Sequence, residues 1–402
     1  MEHLKYWSRE TNPETGAAFE HFRLYMDCTQ NGMLDADALL ATPFGERLTE
    51  YLERRFLFEQ LDPMCDQILA YYDGIGIRKQ IFEREDFFRR WALFTPAVLE
   101  DNRRYPLVIW NHGGKETIED EEYITDLVPL AAKEKFMVLM AQDTGWERNA
   151  ELIEHVAELL PLDRERVYMG GFSQGSRLAG AAQLRMPEKL AAVALNGGPV
   201  FDTTDNHCVP YTITEIENLS AWFVPFLQIE NRCDVSNLAP LNRWTPRKQT
   251  PHVDNHYYVN PAYDLLADPT YNHDGVTRER IVPPARGDAG RWLMNLLNLR
   301  MAVQGCAFRD AERCLDYART PEDELHHAVG FYGDDERIAL LLGVKHYMVD
   351  IFNREGIDAF RYIVVDNTNH WPPVNLGALI WDFFRRFRRD SGTGNIIEDE
   401  YQ

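Results

Sequence analysis

The sequence has no C-x-x-C pair. Its six cysteines, Cys28, Cys65, Cys208, Cys233, Cys306 and Cys314, are scattered along the chain. That spacing argues against a zinc site or a disulfide framework. Positive charge is scarce: Lys and Arg number 42 against 64 Asp and Glu, a formal net charge of -22. Nucleic acid and anionic membrane surfaces are therefore poor partners, because phosphates attract cationic faces. No run approaches the roughly 18 apolar residues that a membrane helix needs, so no membrane span is expected. The opening MEHLKYWSRE lacks the basic and apolar regions of a secretory leader. The expectation is a cytoplasmic protein with reduced thiols; a secreted chain with its leader removed is the alternative. No internal repeat is present. What remains is a globular balance, 45% hydrophobic and 26% charged over 402 residues. Such a chain can bury a large core without staples.

Residues 1–75 carry helical patterning, as in FGERLTEYLERRFLFEQL (44–61) and CDQILAYY (65–72). IRKQIFERE (77–85) and FRRWALFTPA (88–97) read as strands. Strand-like and helix-like stretches then alternate: YPLVIWNHGG (105–114), ITDLVPLAAKEK (124–135), FMVLMAQD (136–143), RNAELIEHVAELL (148–160), VYMGG (167–171), SRLAGAAQLRM (176–186), LAAVALNGG (190–198) and PFLQIEN (225–231). That alternation predicts crossover units and a mostly parallel sheet flanked by helices, an α/β fold. Residues 235–342 show helical stretches and no clear strand. KHYMVDIFNREG (345–356) reads as a helix with a glycine stop, FRYIVVDN (360–367) as a last buried strand, and LGALIWDFFRRF (376–387) as a closing helix. The predicted organisation is a helical extension (1–75), a sheet core (76–234 and 343–390), a large helical insertion or lid (235–342) and a flexible acidic tail (391–402).

GFSQG (171–175) fits G-x-S-x-G. In that motif a strand turns so sharply into a helix that the serine is strained and exposed above the sheet edge. The plain alternative is that Ser173 only caps the helix that follows. Nucleophilic chemistry needs a base, an acid to orient it, and donors for an oxyanion. NHGG (111–114) ends an earlier buried strand, so the amides of Gly114 and Gln174 are the oxyanion candidates. His112 then props the turn and is not the base. Asp234, just past the strand PFLQIEN, is the orienting-acid candidate, Glu230 the runner-up and Asp366 a third. His370, in NHWPP after the last strand, is the base candidate. The order Ser173, Asp234, His370 fits this architecture.

GGFSQGSRLAGAA, PLVIWNHGG and PFLQIENRCDVSN together resemble the α/β-hydrolase fold. They are similar to the carboxylesterase and acyl-protein thioesterase group, and to the polyhydroxybutyrate-depolymerase and feruloyl-esterase group. NHWPP looks like the His-x-Trp-Pro region of the second group. The resemblance covers residues 88–234 and 345–388, and implies a serine esterase with Ser173 as nucleophile, Asp234 as acid and His370 as base. It implies a small-molecule ester as substrate and no cofactor or metal. Three departures stand out: Glu230-Asn231 where these families carry His-Gly, the long gap from Asp234 to His370, and an extension without counterpart.

The insertion lies between acid and base, which suits a lid. Trp244, Tyr257 and Tyr258 within it, with Trp371 beside the base, are candidates for lining a small, aromatic or apolar acyl pocket. The plain alternative is that most of the insertion's aromatics pack its own core. His252, Asp254 and His256 alternate as metal ligands can on a strand, but no further ligand is in view. A serine peptidase or amidase on the same fold, and a non-catalytic binding protein, are the rival functions. The extension either covers the core or forms a homodimer contact.

Overall fold

The computed structural model describes residues 34–114, 116–143, 145–198, 221–234, 272–273, 276–277, 297–298, 300–317, 320–399 and 401. Three helices lead into the sheet: α1 (Ala36–Leu40), α2 (Pro43–Phe58) and α3 (Asp66–Gly74). Strands β1 (Ile77–Phe82), β2 (Trp91–Pro96) and β3 (Tyr105–Asn111) follow. Next come α4 (Ile118–Ile124), α5 (Leu127–Glu134), β4 (Met137–Ala141), α6 (Trp146–Leu159), β5 (Leu162–Phe172), α7 (Gln174–Arg185), β6 (Ala192–Asn196) and β7 (Phe226–Asn231). After the short helices α8 (Ala311–Asp316) and α9 (Glu324–Val329), the chain adds β8 (Asp335–Leu341), β9 (Val344–Phe352) and β10 (Asp358–Val365). It closes with α10 (Leu376–Phe384) and the hairpin β11 (Phe387–Arg389) and β12 (Ile396–Glu398).

Ten strands form one sheet in the order β1-β2-β4-β3-β5-β6-β7-β10-β9-β8. The central run from β4 to β10 is parallel, β2 pairs antiparallel with β4, and β8 and β9 extend the far edge antiparallel. This is the α/β-hydrolase architecture expected from the sequence. The central strands are buried on both faces, which is why they read as continuous apolar runs. Along β3, Leu107 and Ile109 face one core layer and Val108 and Trp110 the other. The N-terminal helices and α10 cover the second layer through Leu39, Phe44, Leu48, Leu52, Phe58 and Phe383. Among the described residues no helix is long and apolar enough to cross a membrane.

Two segments differ from the sequence reading. Residues 345–356 are not a helix: β9 pairs with both β8 and β10. Tyr347, Met348, Ile351 and Phe352 mimic helical spacing, but the strand is buried on both faces and so carries no alternation. Leu342 and Gly343, both at positive φ (53° and 79°), form the two-residue hairpin turn. The sheet therefore begins again at Asp335, inside the expected insertion. The acidic tail is also ordered by pairing: Glu398 and Asp399 meet Arg386 and Arg388, and the Tyr401 amide donates to the Arg385 carbonyl at 2.8 Å. Both carboxylates are exposed as well as paired.

Lys79 on β1 and Glu122 on α4 form an ion pair at 2.5 Å with both side chains fully buried. Burial raises the pKa of Glu122 and Lys79 opposes that rise. Lys79→Met leaves the carboxylate without its counter-charge, so it is expected to destabilise the chain by about 3–5 kcal/mol. Urea unfolding of both chains checks this.

Candidate active site

Ser173 sits between the end of β5 and the start of α7 with φ 50° and ψ -108°. A non-glycine residue there stores strain on the order of 1–3 kcal/mol. The flanking glycines are required by close approach. A side chain on Gly175 would meet the Asn111 carbonyl oxygen at 2.1 Å, and one on Gly171 would meet the Gly175 carbonyl carbon at 2.4 Å. The Ser173 amide donates to the Asn196 carbonyl at 2.8 Å, and the Ser176 hydroxyl donates to the Ser173 carbonyl at 2.6 Å. The Ser173 side chain makes no capping hydrogen bond to α7.

It faces His370 instead. His370 Nε2 lies 3.0 Å from Ser173 Oγ, and His370 Nδ1 donates to Asp234 Oδ2 at 2.5 Å. The parallel strands β7 and β10 pair Asn231 with Val365, so the loops after them rise side by side. Burial alone would lower the His370 pKa. The charge and hydrogen bond of Asp234, with Glu116 adding to them, hold it above the ordinary value of 6.5. The runner-up acids are engaged elsewhere. Glu230, buried on β7, accepts from Gln228 at 2.6 Å. Burial first, and Asp234 second, push its pKa well above the carboxylate range. Asp366 pairs with Arg232 at 3.1 Å.

Asn231 explains one departure from the resembling families. Its Nδ2 donates to the Trp371 carbonyl at 2.9 Å, and its Oδ1 accepts from the Thr368 hydroxyl at 3.0 Å. The Cys233 amide donates to the Thr368 carbonyl at 2.8 Å. Three bonds thus lace the loop carrying Asp234 to the loop carrying His370. Sequence reasoning noticed Asn231 as an oddity but could not see what it ties together.

The turn after β3 lies against the same corner. The Gly113 amide donates to Glu116 Oε2 at 2.7 Å, so it is occupied. Among the described residues the Gly114 and Gln174 amides meet no acceptor, as the first amide of a helix and a turn amide can. The two residues touch: a side chain on Gly114 would meet Gln174 Oε1 at 2.8 Å. His112 Nδ1 donates to the Gly113 carbonyl at 2.7 Å, and its Nε2 accepts from Gln142 Nε2 at 3.1 Å. It props the turn. Glu116 was missed by sequence reasoning because nothing in HGGKE shows that its carboxylate folds back onto the glycine.

Trp371 is 4% exposed and packs in the second core layer, with the Arg55 guanidinium 4.9 Å from its ring centre. Trp244, Tyr257 and Tyr258, and the alternating His252, Asp254 and His256, lie outside the described residues.

No protein-family model matches the chain, and no curated protein matches it. Solved structures do. An S-formylglutathione hydrolase from Agrobacterium tumefaciens matches over 42% of this chain and 81% of its own, at 14% identity and a TM-score of 0.35. The corresponding enzyme from Staphylococcus aureus matches over 41% and 80%, at 14% identity and a TM-score of 0.34. A feruloyl esterase module from Clostridium thermocellum matches over 41% and 70%, at 12% identity and a TM-score of 0.33. These likenesses are weak, so the fold rests on the strand order above and the site on its own distances.

Proposed function

We propose that the chain is a serine hydrolase that cleaves carboxylic esters through an acyl-enzyme. The observation that carries this reading is the continuous chain from Ser173 Oγ through His370 to Asp234, at 3.0 and 2.5 Å, on a strained strand-to-helix corner. His370 Nε2 takes the hydroxyl proton as Oγ attacks the ester carbonyl. Asp234 holds the imidazole tautomer and stabilises the imidazolium. The Gly114 and Gln174 amides receive the developing oxyanion. The tetrahedral adduct expels the alkoxide, which leaves with the proton from His370. Water then attacks the acyl-Ser173 carbonyl, giving its proton to His370, and the acid departs as Ser173 Oγ recovers a proton.

Trp371 supports the base loop: its carbonyl accepts from Asn231 at 2.9 Å. A homodimer through the extension would use the outward face of the N-terminal helices, where Leu40 and Leu57 are exposed, because their inward face packs on the sheet. A cytoplasmic placement fits Cys65, Cys233 and Cys306, which form no disulfide among the described residues.

A panel of p-nitrophenyl esters and matched p-nitroanilides tests the reaction class. Esters are expected to react with kcat/KM about 100-fold or more above the anilides, since only the ester leaving group departs readily. Faster anilide cleavage would mark an amidase, and no turnover of either would mark a binding protein.

A further inference from the structure

The N-terminal extension grips the base loop at both ends. At its start, Asn367 (φ 50°) accepts from the Asp35 amide at 2.7 Å and donates to the Asp35 carbonyl at 2.8 Å. At its end, Arg55 of α2 lies over the Trp371 ring, one residue past the base. Between them the Phe44 amide donates to the Leu342 carbonyl at 2.9 Å, fixing α2 on the β8–β9 turn.

Arg55 also reaches the oxyanion side. It is 6% exposed and bonds to Asp120, with Glu59 at 3.7 Å. Asp120 in turn accepts from the Thr117 amide at 2.6 Å and closes the capping box at the start of α4. That helix start directly follows Glu116, which holds the Gly113 amide. Arg55 is close enough to Glu116 to oppose the rise that burial and Asp120 impose on its pKa. One guanidinium therefore touches both the segment that carries the oxyanion turn and the segment that carries the base. A planar, always-charged guanidinium can lay its face on an indole while its edge bonds to a carboxylate; an ammonium has neither the plane nor the fork that fixes both directions together.

We propose that Arg55 is a positioning residue of the active site, fixing the base loop and the oxyanion turn relative to each other, so that the N-terminal extension is part of the catalytic machinery. This rests on the reading of Ser173, His370 and Asp234 as a hydrolytic site. The consequence is kinetic: displacements near 1 Å in such a site can cost about 100-fold in rate.

The test compares the 402-residue chain with Arg55→Lys, which keeps the charge, and with the Arg55→Met, Asp120→Asn double variant, which removes both charges. Thermal midpoints identify the folded variants. Three readouts follow: kcat and KM for a p-nitrophenyl ester, and the low-field proton signal between His370 Nδ1 and Asp234. The expected result is a kcat lowered about 10- to 100-fold with KM within about threefold, and a shifted or broadened proton signal, with Arg55→Lys intermediate. A kcat within about twofold of wild type together with an unchanged proton signal in a folded variant overturns the proposal. If the wild-type chain turns over no ester, the hydrolase reading fails separately. The proton signal then decides alone: altered in the variants, it supports Arg55 as the positioning group; unaltered, it rejects that role.

Discussion

Ser173→Ala is expected to lower ester turnover by about 10⁴- to 10⁶-fold while leaving the fold intact. The size of the effect follows from the division of labour at the corner. Only Oγ can form the acyl bond, and His370 Nε2 lies 3.0 Å away, within reach of its proton. What survives is the contribution of the oxyanion donors and of substrate binding, which act without the nucleophile. Stability should move little, because Ser173 Oγ makes no helix cap and the elbow is built by its glycines and by the Ser173 amide bond to Asn196. Alanine at φ 50° keeps the same backbone strain as serine. Steady-state kinetics alongside a thermal melt checks both halves: lost turnover with a retained midpoint.

Asp234→Asn is expected to lower kcat by about 10⁴-fold, because the amide no longer enforces the imidazole tautomer that leaves Nε2 open to the serine proton. It also carries a pH signature with a definite sign. In the wild type, His370 titrates above 6.5 because Asp234 outweighs the burial that would lower it. In the proposed mechanism the unprotonated ring is the base, so kcat/KM should fall on the acid side with a midpoint above 6.5. Removing the carboxylate leaves burial as the main influence, and the midpoint should move to lower pH. The stability linkage runs the opposite way to activity. A histidine whose pKa is raised on folding stabilises the fold fully below its unfolded value, and that contribution is lost as pH rises through the folded value. The chain should therefore work best where the His370–Asp234 pair contributes least to stability. A pH–rate profile of both chains reads the shift.

The sheet core was legible from VYMGG to PFLQIEN because each strand carries a mostly apolar run that is buried on both faces and bounded by glycine or a helical stretch. The same property defeated the reading of residues 345–356, where a strand buried on both faces imitates a helix. The tail misled through composition: its acids are exposed, as expected, yet Glu398 and Asp399 are also the partners of Arg386 and Arg388, which no local pattern announces. At the site, Ser173, Asp234 and His370 could be named because each follows a recognisable strand end. Asn231, Glu116 and Arg55 could not, since their meaning depends on which distant backbone group lies within hydrogen-bond or stacking reach.

The central claim is that Ser173 is a nucleophile activated by His370. It is tested most directly by exposing the chain to a fluorophosphonate and mapping the adduct by mass spectrometry. A covalent hydrolase of this design adds one phosphonyl group per chain, on the peptide containing Ser173, with loss of fluoride and no adduct in Ser173→Ala. An unmodified wild-type chain, or an adduct that persists in Ser173→Ala, would contradict it.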